Sequence, residues 1–202
     1  MSKWIKSVSA AAAVAALFLA AGAARADIIP TLTSVTPDGS NFLWTYNATL
    51  SAAENLETNN YFTIYDAVGL VSGSETTSSV NWVASNQLTG ITAPLTTPTD
   101  NSGILNATYK YVGSSTIDGP QASLGTFTFV STDGLIGVGQ FTALALNNTG
   151  PEAGTLVSNI GEVSVPVPST SGGPPVPLPA ALPIGLALLA GVGLMKRKLA
   201  LS

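Results

Sequence analysis

The stretch Phe42-Leu43-Trp44-Thr45-Tyr46-Asn47-Ala48-Thr49-Leu50 decides the fold class of this chain. Phe42, Trp44, Tyr46, Ala48 and Leu50 recur with period two, and Thr45, Asn47 and Thr49 fall between them. Side chains alternate across a strand, so this pattern gives one apolar and one polar face. It describes a half-buried β-strand and does not fit a helix.

Working outward, the same alternation returns several times. Tyr61 to Tyr65 sets Phe62 and Ile64 against Thr63. Leu105 to Tyr111 sets Ala107, Tyr109 and Tyr111 against Asn106, Thr108 and Lys110. Gly125 to Val130 sets Phe127 and Phe129 against Thr126 and Thr128, and Gln140–Leu146 and Leu156–Val165 are further candidates. Turn-forming residues separate these runs at Pro37-Asp38-Gly39, Asp118-Gly119-Pro120, Asp133-Gly134 and Asn148-Thr149-Gly150-Pro151. The short polar stretch Ser51–Thr58 is the one expected helical interruption. About seven strands with this punctuation predict an all-β domain, an antiparallel β-sandwich, with a closed barrel as the alternative. No fixed-period repeat is present, which argues against a solenoid or propeller.

The two ends of the 202-residue chain read as targeting segments. Lys3 and Lys6 precede an uncharged, alanine-rich run from Val8 to Gly22, and Ala24-Arg25-Ala26 supplies the small-x-small cleavage pattern. Residues 1–26 are therefore expected to be a signal peptide, cut by signal peptidase between Ala26 and Asp27. Residues 27–165 form the ectodomain, and residues 166–175 a Pro/Ser/Gly linker. The remaining 176–202 opens on Pro177-Leu178-Pro179, continues through uncharged residues 180–195, and meets Lys196-Arg197-Lys198 four residues before the end. Sixteen helical residues span about 24 Å, short of the roughly 30 Å of a bilayer core. A basic cluster directly behind such a segment still halts translocation and stays on the cytoplasmic side. A single transmembrane helix over 180–195 is expected, with the ectodomain outside.

Proline-rich motif, short apolar helix, basic cluster and chain end, in that order, resemble the PEP-CTERM sorting signal. The usual Pro-Glu-Pro triplet stands here as Pro177-Leu178-Pro179 within Val176 to Ala181, a form similar to a known variant of the motif. The resemblance implies recognition by an exosortase-like membrane protease that cuts near Val176, Pro177, Leu178 and Pro179. It also implies transient anchoring in the inner membrane, then deposition at the cell surface or in the extracellular matrix of a biofilm. The runs Phe42–Tyr46, Asn60–Asp66 and Leu124–Phe129 resemble ectodomains of other PEP-CTERM proteins, which supports the architecture and adds no site.

Charge and composition narrow the chemistry. Of seven basic residues only Lys110 lies in the ectodomain, which holds all eleven acids; one minus eleven leaves it near −10. Such a surface repels phosphate backbones, so nucleic acid is not an expected partner. The chain has no cysteine and no histidine, which removes disulfides, thiolate or imidazole metal ligands, and the commonest general base. A Ser–Lys pair would need Lys110, which alternation puts on a solvated polar face. Glu54 and Glu57 are too close in sequence to flank a substrate as glycosidase carboxylates do, and read as surface groups. No catalytic residue, cofactor or metal is expected, and the chain is not read as an enzyme.

A structural or interaction protein is the first functional reading. The second is a binding module for glycan or calcium, with extracellular polysaccharide as partner. Asp100-Asn101-Ser102-Gly103 is the nearest calcium-like loop, but it holds one carboxylate and reads as a turn, as do Asp118 and Asp133. Trp44 shares the apolar face of its strand and is expected in the core. Trp82 follows Asn81 in a polar stretch, and is the expected exposed aromatic for stacking on a sugar.

Overall fold

The computed structural model describes residues 28–169. The signal segment with Ala24, Ala26 and Asp27, and the tail with Val176–Pro179, the 180–195 span and Lys196–Lys198, lie outside the described residues. Within them the protein is all-β, with two antiparallel sheets and one short 3-10 turn at Gly150–Glu152.

The strands are β1 (Ile28–Asp38), β2 (Asn41–Leu50), β3 (Glu54–Leu56), β4 (Tyr61–Ile64), β5 (Thr76–Thr77), β6 (Trp82–Gln87), β7 (Asn106–Tyr111), β8 (Ile117–Asp118), β9 (Thr126–Ser131), β10 (Leu135–Asn147) and β11 (Leu156–Val167). The smaller sheet runs β1-β2-β9-β5. The larger runs β6-β7-β4-β10, with β11 along one edge of β10 and β3, then β8, continuing the line of β4 on the other.

Strand β2 behaves as its alternation requires: Trp44, Tyr46, Ala48 and Leu50 are buried, and Thr45, Asn47 and Thr49 are half-buried between them. Its neighbour β9 buries Phe127 and Phe129 on the same face. These meet Phe62, Tyr109 and Phe141 of the larger sheet in one apolar cluster. The rings pack mainly edge to face, as between Phe62 and Phe127 at 5.0 Å between centroids, where the positive edge of one ring meets the negative face of the other. Two sheets enclosing one core are consistent with a β-sandwich.

The phenol tips inside this core carry hydrogen bonds between the sheets. Tyr46 of β2 donates to the Ser164 carbonyl of β11 at 2.9 Å, and Tyr109 of β7 donates to the Thr128 carbonyl of β9 at 2.8 Å. Each satisfies a polar group that would otherwise be costly to bury.

Three expectations change. Ser51–Thr58 is not a helix: its centre is strand β3, paired with β10 and β8. Eight residues are too few to stabilise a helix alone, and Asn148 Nδ2 instead donates to the Glu54 carbonyl at 3.1 Å. Glu54, read as a surface carboxylate, is buried. The stretch Ile28–Asp38, not read as a strand, is β1, an edge strand; Pro30 and Pro37 are tolerated there because an edge leaves N–H positions unused.

Candidate functional site

Trp82 is 5 % exposed, which overturns its expected place on the surface. It opens β6 and turns inward, with its ring 4.9 Å from Phe127 and 5.5 Å from Tyr111 between centroids. Polar neighbours in the sequence misled because alternation sends Asn81 and Val83 outward on either side of it. Trp82 offers no face to a sugar. Trp44 is fully buried, and its indole N–H donates to the Asp133 carbonyl at 3.0 Å.

The most organised polar chemistry lies on the outer face of the larger sheet. Strand register sets Ser85, Thr108, Thr63 and Thr142 side by side across β6, β7, β4 and β10. The chain between Leu88 and Leu105 lies over this row, so Thr63, Thr108 and Thr142 are buried although they face away from the core. Sequence alternation had marked this face as solvated.

Hydrogen-bond directions follow from the end groups. Gln87 Nε2 donates to Thr108 Oγ1 at 2.6 Å, and Thr63 Oγ1 donates to the Ile91 carbonyl at 2.8 Å. The Thr63 proton is thereby committed, so at 2.8 Å Thr108 donates to Thr63. Beside them the Tyr65 hydroxyl lies 3.0 Å from both Thr142 Oγ1 and Thr92 Oγ1 and donates to the Ile91 carbonyl at 3.1 Å. Burial pushes the Tyr65 phenol above its ordinary value, and the Thr142 and Thr92 hydrogen bonds oppose that shift. Gly90 fits under this ring because a Cβ there would lie 2.4 Å from Tyr65 Cε1.

The base of the covering segment is tied by carboxylates and one amide. Asp100 accepts from the Gly90 N–H and from Asn106 Nδ2, both at 2.9 Å. Asn106 accepts from the Asp66 N–H at 2.8 Å, and Asp66 accepts from the Asn101 N–H at 2.9 Å. Asp66 takes a left-handed φ of 54°, which aspartate tolerates better than most residues. Both Asp100 oxygens are thus used in holding the segment. Among the described residues no group of three or more acidic side chains is placed to hold a metal ion.

An open groove of about 400 Å³ adjoins this knot. Asp66, Thr99, Gln140 and Glu162 give it a polar lining, and Val138 and Pro166 an apolar one. Gln140 and Glu162 are direct cross-strand neighbours. The groove presents two carboxylates, one amide and the hydroxyl of Thr99. Lys110 stands between Val83 and Tyr61 in the register, with no serine opposite it. Asp118, expected at a turn, instead ends strand β8 opposite Asn55, whereas Asp133 lies in the connection from β9 to β10 and accepts from the Ser169 N–H at 3.1 Å.

The sequence reading missed this outer-face row. Its only trace was the long polar interval between the β6 and β7 segments, too long for a bare connection in a compact domain. No known protein family matches the chain, and no curated protein matches its sequence. Among the described residues no helix is long and apolar enough to cross a membrane.

Proposed function

We propose that this chain is an exported bacterial protein, cut after Ala26 and sorted by an exosortase-like protease through Val176-Pro177-Leu178-Pro179. The span over 180–195 and Lys196-Arg197-Lys198 holds it in the inner membrane until processing. Its β-sandwich then serves as a structural or interaction protein at the cell surface or in the extracellular matrix.

The observation that carries this reading is where the folded domain lies between the two targeting segments. Every described strand, from Ile28 of β1 to Val167 of β11, lies between the small-x-small pattern and the proline-rich motif. Cleavage at either end therefore leaves both sheets whole. The interior is compatible with the same role: the Tyr46 and Tyr109 hydroxyls tie one sheet to the other, and the Thr63 hydroxyl ties the larger sheet to its covering segment. Intact mass of protein from producing cells and from their medium tests it. A species running from Asp27 to a terminus within 176–181 is expected. A membrane species that keeps Lys196–Ser202, with no shorter form, would sink the sorting role.

A glycan-binding module is the second reading, and the groove between Asp66 and Glu162 favours it. Hydroxyl-rich ligands pair well with carboxylates and amides on an open wall. Binding of matrix polysaccharide that weakens in Glu162→Gln would support it; equal binding by both proteins would remove the groove from consideration.

A further inference from the structure

Three Asn-x-Thr triplets occur in the ectodomain: Asn47-Ala48-Thr49, Asn106-Ala107-Thr108 and Asn147-Asn148-Thr149. This triplet is the acceptor pattern for N-linked glycan in exported proteins. The fold treats the three asparagines differently.

Asn106 is fully buried, and its Nδ2 donates to Asp100 Oδ1 and to the Leu88 carbonyl. A sugar on that nitrogen would break the tie that holds the covering segment. Asn47 lies in the middle of β2, between β1 and β9. Its Nδ2 donates to the Ala122 carbonyl at 3.2 Å and its Oδ1 accepts from Ser123 at 2.6 Å, so both ends of the amide are in use.

Asn147 differs on each count. It closes β10, where the chain turns towards the 3-10 turn, and it is half-buried beside the exposed Thr149. Its Oδ1 accepts from the Thr149 N–H at 2.9 Å and from the Thr149 hydroxyl at 3.3 Å. Its Nδ2 makes no hydrogen bond among the described residues. An amide nitrogen is a poor nucleophile because its lone pair is delocalised onto oxygen. Two donors at that oxygen stabilise the negative charge that builds there as Nδ2 loses a proton, and this is the state in which the nitrogen attacks.

We propose that Asn147 is a glycan acceptor, its Nδ2 taking a saccharide from a polyprenyl-diphosphate-linked donor through a membrane glycosyltransferase acting outside the cytoplasm. In the step, Nδ2 forms a bond to the anomeric carbon and the bond from that carbon to the diphosphate oxygen breaks. The polyprenyl diphosphate leaves with the electron pair, and one Nδ2 proton passes to a base of the transferase. The proposal rests on the export reading, since such a transferase meets only translocated chains.

The test is intact mass and peptide mapping of the full chain recovered from its producing cells. The peptide that holds Asn147 is expected to carry an increment of whole sugar residues, and the peptide that holds Asn106 none. Thr149→Ala should lose the increment and Thr149→Ser should keep it; the wild-type map decides even if a variant folds poorly. A chain that begins at Asp27 with a bare Asn147 overturns the proposal and leaves export standing. A chain that keeps residues 1–26 with a bare Asn147 overturns both. An increment on Asn106 or Asn47 in place of Asn147 overturns the structural argument for the site.

Discussion

Asp100 and Asn106 are joined by a 2.9 Å hydrogen bond from Asn106 Nδ2 to Asp100 Oδ1 at the base of the segment that covers the outer sheet face. The second Asp100 oxygen accepts from the Gly90 N–H, so one carboxylate spans both ends of the cover. Behind it lie a hydroxyl row and a small apolar cluster of Tyr61, Ala93 and Leu144. The cover is thus fastened at its base by a charge-assisted pair and seated by hydroxyls and apolar contacts.

Asp100→Ala leaves both donors without their acceptor. Each such loss in a partly buried setting costs on the order of 1–3 kcal/mol. Hydrogen exchange should quicken at Gly90 and the residues that follow it, with the β2 and β9 amides still protected. Unchanged exchange at Gly90 would show that the cover does not depend on this carboxylate.

Trp82→Ala removes a ring packed against Phe62, Tyr111 and Phe127. Loss of a buried aromatic costs about 3–5 kcal/mol. Urea unfolding should show that loss as a lowered midpoint with little change in slope. A midpoint close to wild type would mean that the indole is not part of the core.

The strands were legible where burial is one-sided. In β2 and β9 the period-two pattern matches the buried face from Trp44 to Leu50 and at Phe127 and Phe129, while Phe42 at the start of β2 is half-buried. It failed where a second layer covers the outer face. All four residues of β4 are buried, so Thr63 follows the polar alternation and yet lies inside. Trp82 failed for the converse reason: a single inward residue in a polar stretch carries no period. Short strands β3, β5 and β8 were invisible because two or three residues hold no pattern, and neighbouring strands define them. The acceptor geometry at Asn147 was beyond sequence reading too, because the triplet alone does not separate it from Asn106.

Gly161 stands opposite Phe141 in the β10–β11 pair, and the ring lies over it. A Cβ at position 161 would come within 2.6 Å of Phe141 Cε1. Gly161→Ala should therefore destabilise by about 1–3 kcal/mol, the usual range for overpacking. Pairing it with Phe141→Leu should recover part of that loss, because the smaller side chain vacates the contact. The check is a double-mutant cycle by urea unfolding; additive losses would show that the two positions do not touch.

Alkaline pH should unfold the protein through its inter-sheet tyrosines. Burial holds the Tyr46 phenol well above the ordinary 10.0, helped by the neighbouring Tyr109, and burial does the same to Tyr109, helped by Glu75. The unfolded chain releases these protons near pH 10, while the folded chain retains them. Their contribution is therefore intact below about pH 10 and declines as pH rises from there towards the higher folded values. Each group that stays protonated contributes a slope of about 1.4 kcal/mol per pH unit in that window. Urea midpoints should hold steady from neutral to about pH 9.5 and fall steeply beyond it. Tyr46→Phe separates the causes: loss of the hydrogen bond to Ser164 should lower neutral stability by about 0.5–1.5 kcal/mol. The same change removes one titrating phenol and should make the alkaline decline shallower. A decline as steep as in the wild type would show that Tyr46 does not retain its proton in the folded state.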